Sequence, residues 1–209
     1  MSWIQRRRAE NYYRRAKREG YRSRAVYKLK QIDEKFHIIN DRMAILDLGA
    51  SPGGWSQYLS EVNPNGINVA VDKQGMARID RVSFILGDIT DEKTREKIYE
   101  KSPNGYDLVV SDLLMHTTGD RSVDQARAYF LAKEVLEICR NALVNGGSVL
   151  IKTFQGDLTD QLTGEFKKYF SSVRITKPPS STPHSPEIYI LAENFSRRKL
   201  LPETSRPQE

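Results

Sequence analysis

Lys152 lies in Val149-Leu150-Ile151-Lys152-Thr153-Phe154, an apolar run that reads as a buried strand. A lysine there is costly unless it is paired or used, because burial strips water from the ammonium; the alternative is an edge lysine whose head snorkels to solvent. Glu187 raises the same question at the start of the apolar Ile188 to Leu191 run, where it is either a functional carboxylate or an exposed strand-end one. Further polar residues stand where other apolar runs end. Asp47 precedes a glycine turn, Asp72 follows the second run, Gly87-Asp88 the third and Ser111-Asp112 the fourth. Any one of these aspartates alone reads as a helix cap or a turn residue. Four at successive strand ends point to one ligand site, since a doubly wound sheet binds ligands outside the carboxyl ends of its strands.

The glycine turn is Asp47-Leu48-Gly49-Ala50-Ser51-Pro52-Gly53-Gly54-Trp55-Ser56. Gly49 lets the backbone turn without a Cβ clash, and Gly53-Gly54 lets a ligand lie against main-chain atoms at a helix N-terminus. The dinucleotide fingerprint needs a glycine where this chain has Ser51 followed by Pro52. A ligand without phosphates, such as S-adenosylmethionine, fits better. Asp72 stands about twenty residues beyond the turn, where a carboxylate accepts from both hydroxyls of a ribose. Asp88 can accept likewise from an adenine amino group. His37, His116 and His184 have no metal-ligand spacing, and Cys139 shares a helical face with Leu131 and Val135, so no metal is expected.

These residues need a sheet to hold them. Ala44 to Leu48, Ile67 to Val71, Val82 to Leu86, Leu108 to Val110 and Ser148 to Ile151 read as buried parallel strands. Ser56 to Val62, Asp91 to Glu100 and Val123 to Leu143 read as the helices between them, the last ended by Asn145-Gly146-Gly147. Val173 to Thr176 and Ile188 to Ala192 add a hairpin-like pair. The pattern predicts an α/β, Rossmann-like, doubly wound sheet of seven strands, mostly parallel with one antiparallel C-terminal strand. A further helix starts near Ser23, a plausible N-cap, with Ala25, Leu29, Ile32 and Phe36 as its stripe and Lys28 bordering the core.

The chain has 209 residues, 38% apolar and 29% charged, which suits one domain with extensions and a real core. No apolar run approaches a membrane span, no secretory signal is evident, and a single cysteine fits cytoplasmic life. Residues 1–30 hold eleven Lys/Arg against Glu10 and Glu19 in a chain of net charge +6, so the remainder is net acidic. Trp3, Tyr12, Tyr13, Tyr21 and Tyr27 are interleaved with that charge. Guanidinium groups pair with phosphates and rings stack on unpaired bases, so the mixture suits single-stranded or looped RNA. A solvated basic tail or an Arg-rich transit peptide is the plainer alternative. The chain divides into a basic RNA-binding extension over 1–22, a catalytic domain over 23–195 and a disordered Pro-rich tail over 196–209.

Together these residues resemble the FtsJ-like ribose 2′-O-methyltransferases, of the type that modifies a uridine of large-subunit ribosomal RNA. The resemblance runs from about Tyr21 to Glu193. It is carried by Tyr21-Arg22-Ser23-Arg24-Ala25 with Tyr27-Lys28-Leu29, by the glycine turn through Gln57, by Val110-Ser111-Asp112, by Lys152-Thr153-Phe154-Gln155-Gly156 and by Ser185-Pro186-Glu187-Ile188-Tyr189. It implies a catalytic tetrad of Lys28, Asp112, Lys152 and Glu187. It also implies S-adenosylmethionine near Gly49, Gly53, Trp55, Asp72, Asp88 and Asp112, and ribosomal RNA, free or in the large subunit, as partner of a monomer. A ribose hydroxyl must be aimed and deprotonated, so Lys152 is expected as base, Lys28 and Glu187 as orienting groups, and Asp112 as the group positioning donor and base. The four would titrate as one coupled unit. Where the family continues Ser-Asp with Ala-Pro-Asn, this chain has Leu113-Leu114-Met115-His116-Thr117-Thr118-Gly119, which bears on substrate identity. Rival readings are the same chemistry on transfer RNA or an mRNA cap, a noncatalytic RNA-binding protein on this fold, and a nicotinamide-dependent dehydrogenase. The last is disfavoured by Ser51-Pro52, and the noncatalytic one by the presence of Lys152 and the glycine turn.

Overall fold

Strand β1 (Ala44–Leu48) is apolar except for Asp47 and sits between β2 (Ile67–Asp72) and β4 (Tyr106–Ser111), parallel to both. The computed structural model describes residues 3–113, 118–182 and 185–198, with the side chains of 3–9 undescribed. It adds β3 (Val82–Leu86), β5 (Leu143–Phe154), β6 (Phe170–Thr176) and β7 (Glu187–Phe195) in one sheet of order β3-β2-β1-β4-β5-β7-β6. β7 alone runs antiparallel, wedged between β5 and β6. That is the expected seven-stranded α/β sheet. Its inner strands read as nearly continuous apolar runs because both faces are covered.

Side-chain alternation sorts the core into two layers. Leu46, Val109, Ile151 and Ile190 face α4 (Glu92–Lys101), α5 (Arg121–Ala142) and α6 (Thr159–Lys167). Ile45, Leu108, Val110, Leu150, Tyr189 and Leu191 face α1 (Trp3–Arg18), α2 (Val26–Phe36) and α3 (Gly54–Val62). α1, whose arginines conceal its helical period in the sequence, packs here through buried Ala16 and the ring of Tyr12. No helix among the described residues is long and apolar enough to cross a membrane.

Most element ends shift by a few residues from expectation, and two shifts have an identifiable local cause. α5 ends at Ala142 and Leu143 already belongs to β5, so Asn145-Gly146-Gly147 does not end the helix. Those residues form an irregularity where the β4–β5 register jumps between Tyr106↔Leu143 and Leu108↔Ser148, with Gly146 at φ +85°. α2 begins at Val26, and Ser23 instead opens the turn before it, its Oγ accepting from the Ala25 N–H at 3.1 Å. His37 ends α2 in the left-handed conformation at φ +52°. His116, His184, the Leu114 to Thr117 departure and tail residues 199–209 lie outside the described residues.

Candidate active site

β4 and β5 finish side by side, and β7, being antiparallel, starts where β5 stops. The register sets Lys152 opposite Tyr189 and Phe154 opposite Glu187. With side chains alternating, Lys152, Tyr189 and Glu187 therefore fall on the face that α1, α2 and α3 cover, and α2 brings Lys28 to the same edge. Two ion pairs result. Lys152 Nζ stands 2.8 Å from Asp112 Oδ1 and donates to the Asp112 carbonyl at 2.6 Å. Lys28 Nζ stands 2.6 Å from Glu187 Oε1. The Lys152 side chain is only 6% exposed, and the other three are largely buried. The snorkelling alternative for Lys152 and the exposed-carboxylate alternative for Glu187 are both excluded.

Two residues that the sequence did not single out complete the cluster. The Tyr189 hydroxyl donates to Asp112 Oδ1 at 3.0 Å. Burial first, then the Asp112 and Glu187 carboxylates, hold this phenol well above its ordinary pKa, so it stays a donor. Because Tyr189 feels both carboxylates, it joins the two ion pairs into one unit. Ser181 Oγ donates to Glu187 Oε1 at 3.1 Å. The period of two from Glu187 places Tyr189 on the site face; for Ser181, in a turn, the sequence carries no such signal.

The neighbouring edge belongs to the glycine turn. Gly49 (φ +81°) and Ala50 donate their N–H groups to the Val71 carbonyl at 2.9 and 3.2 Å. Gly53 (φ +111°) precedes α3, and a Cβ there would stand 2.8 Å from Ile79 and 2.9 Å from the Arg22 guanidinium. Arg22, expected only as part of the basic segment and the Tyr21 to Ala25 motif, has a structural task. Its guanidinium donates to the carbonyls of Pro52, Ala77 and Arg78 at 3.4, 2.6 and 2.8 Å, tying the loop before α3 to the loop after β2. The first helical bond of α3 runs from the Gln57 N–H to the Gly53 carbonyl, so the N–H groups of Gly54, Trp55 and Ser56 aim beyond the helix end.

The aspartates divide by environment. Asp72 accepts from the N–H groups of Ser51 at 2.9 Å and Gln74 at 2.8 Å, which draws the glycine turn onto the end of β2. Asp88 accepts from the Thr90 N–H and pairs with Lys73 at 2.6 Å; burial opposes its charge, but these partners outweigh burial and hold the carboxyl below its ordinary range. Asp47 is inside β1, not beyond it. It is 1% exposed, Ser56 Oγ donates to its Oδ2 at 2.6 Å, and its Oδ1 is buried without a partner among the described residues. Burial pushes the Asp47 carboxyl up to about 7, with help from the charges of Asp112 and Asp72 and against the Ser56 bond. The Trp55 indole is core, 2% exposed and donating to the Ala25 carbonyl at 2.9 Å, so its backbone is what it offers a ligand.

A family model for FtsJ-like methyltransferases matches residues 21–195. The chain belongs to that family. A ribosomal RNA large subunit methyltransferase E from Methanothrix thermoacetophila is 43% identical over 186 residues, covering 89% of this chain and 72% of the relative. Another of that name, from Methanosphaera stadtmanae, is 39% identical over 195 residues, covering 91% and 95%. A crystal structure described as a ribosomal RNA methyltransferase from Plasmodium falciparum superposes with TM-score 0.77 at 30% identity, covering 84% of this chain and 98% of that one. The methyl donor of this FtsJ-like methyltransferase is S-adenosylmethionine. The residues present fit it: backbone N–H groups point out from the start of α3, and carboxylates at successive strand ends favour a cationic sulfonium over a polyphosphate.

Proposed function

We propose that this methyltransferase transfers a methyl group to the 2′-hydroxyl of a uridine ribose in large-subunit ribosomal RNA, in the cytoplasm, with Lys152 as base. The observation that carries this reading is the pairing of two largely buried lysines with two carboxylates on one sheet edge, joined by Tyr189. A ribose hydroxyl is a weak acid with no nucleophilic character to spare, so an acceptor of that kind is what a buried amine cluster serves. The names of the relatives from Methanothrix thermoacetophila and Methanosphaera stadtmanae support ribosomal RNA as the substrate.

When bound, S-adenosylmethionine supplies an electrophilic methyl carbon on a sulfonium leaving group. The chain's own residues then serve the acceptor. Gly49, Gly53 and the Trp55 backbone would hold the donor's amino-acid end, Asp72 its ribose hydroxyls and Asp88 its adenine amino group. Asp112 holds Lys152 by side chain and carbonyl together, which fixes where Nζ takes the 2′-OH proton. Lys28 and Glu187, the latter held by Ser181, orient the hydroxyl from the α2 side. A lysine serves as base only when neutral, a form that burial and a nearby second ammonium favour in general.

Lys152→Ala tests the assignment. Donor affinity should persist while turnover on large-subunit RNA falls about 10²- to 10⁴-fold, the usual contribution of general base catalysis. Near-normal turnover removes Lys152 from the role. Ribose-methylation mapping in cells lacking the protein tests the substrate: loss at a large-subunit uridine is expected, and loss only in transfer RNA transfers the activity there.

A further inference from the structure

α1 meets the turn between β6 and β7 beside the catalytic cluster, and a cleft of about 400 Å³ opens between them, lined by Asn11, Tyr12, Arg15 and Pro179. Its walls connect to the tetrad by hydrogen bonds. The Gln31 side chain donates to the Tyr12 hydroxyl at 3.2 Å and accepts from the Ser180 N–H at 2.8 Å. Gln31 lies one turn beyond Lys28 on α2, and Ser181, next to Ser180, holds Glu187. The cleft and the two orienting residues are therefore fixed by one network.

Its chemistry is specific. Tyr12 and Pro179 offer apolar surfaces, and the Tyr12 ring is itself backed by Tyr27 at 5.3 Å between centroids. Arg15 is anchored, its Nε donating to Glu19 at 2.7 Å and its guanidinium lying 4.7 Å over the Tyr27 ring, yet its side chain remains 51% exposed. Asn11 is exposed and carries both an amide donor and an amide acceptor. The hydroxyl of Ser180, adjacent in the chain to Pro179, is buried without a partner among the described residues. A cleft that combines an aromatic ring and a proline with an amide and an anchored guanidinium matches an unpaired nucleobase with its phosphate. It also falls within the segment whose surplus of nine positive charges favours a polyanion.

We infer that this cleft receives an unpaired base of the RNA strand next to the nucleotide whose ribose is methylated. The inference rests on the acceptor being RNA, as proposed above. Wild type, Asn11→Ala, Tyr12→Leu and Tyr12→Phe are assayed on large-subunit RNA from cells lacking the protein, alongside calorimetric titration with S-adenosylmethionine. Asn11→Ala and Tyr12→Leu should raise KM for RNA, Tyr12→Leu about 5- to 100-fold as expected for one lost stack, with donor Kd within about twofold of wild type. Tyr12→Phe, which keeps the ring, should restore most of the KM. Unchanged KM in both Asn11→Ala and Tyr12→Leu overturns the subsite while leaving the methylation reading intact. A KM raised on assembled subunits but not on naked RNA also overturns it, and assigns the cleft to a protein. A wild type that transfers no methyl to this RNA overturns the parent reading, and the cleft assignment with it.

Discussion

Asp47 is the residue whose energetics are most exposed to experiment. Its carboxyl is buried and raised to about 7, so across pH 4 to 7 the folded protein keeps a proton that the unfolded chain has released. Stability contributed by this group is therefore complete below about pH 4, falls as pH rises, and levels off above about 7. Asp47→Asn removes the titration. Urea unfolding at pH 5 and pH 8 should show the wild type losing about 3 kcal/mol relative to the variant over that interval. A constant difference refutes the burial account. At the same scale, Glu187→Gln keeps both contacts between Lys152 and Asp112 and removes the charge paired with Lys28. Its turnover should fall less than that of Lys152→Ala, in the same methyl-transfer assay. Lys152 and Glu187 were legible because a charge in or beside an apolar run is anomalous on its own. Tyr189 was not, because a tyrosine in a strand is ordinary until its partner is known.

The strand pattern was legible for an element-level reason. Strands covered on both faces read as continuous apolar runs, and β1 matches its sequence bounds at both ends; the edge strand β3, though mostly uncovered, does so too because Val82, Phe84, Ile85 and Leu86 are strand formers. α6 escaped because Thr159–Lys167 is short, contains Gly164 and has a stripe of few large apolar residues. α1 escaped because Ala16 is the only buried residue among its described side chains, in a sequence crowded with arginines. The aromatic interleaving of the N-terminal segment also separates by element. Tyr27 is core and Tyr21 is tied to Glu61 and Lys30, whereas Tyr13 is 61% exposed. Gly53 is where element geometry would meet the donor under the proposed function. Gly53→Ala sets a Cβ against Ile79 and Arg22 at φ +111°, which should cost about 1 to 3 kcal/mol and weaken donor binding, read by urea unfolding and calorimetry. Arg22→Ala frees the carbonyls of Ala77 and Arg78 and should weaken donor binding without the backbone strain.

Over the whole molecule the charge is separated, with a basic N-terminal segment on a net acidic remainder. RNA affinity should therefore fall steeply with salt, about 10²-fold between 50 and 200 mM for five phosphate contacts, while donor affinity changes little. Filter binding and calorimetry over one salt series separate the two. The placement of β7 has a different consequence. It is the last strand in the described chain, yet it lies between β5 and β6, both synthesised before it. During translation β6 has no sheet neighbour until β7 arrives, whereas β1 to β4, which carry the glycine turn and Asp72, can already pair. Under the proposed function, the elements assigned to the donor are therefore synthesised before Glu187 and Tyr189, which are assigned to the acceptor.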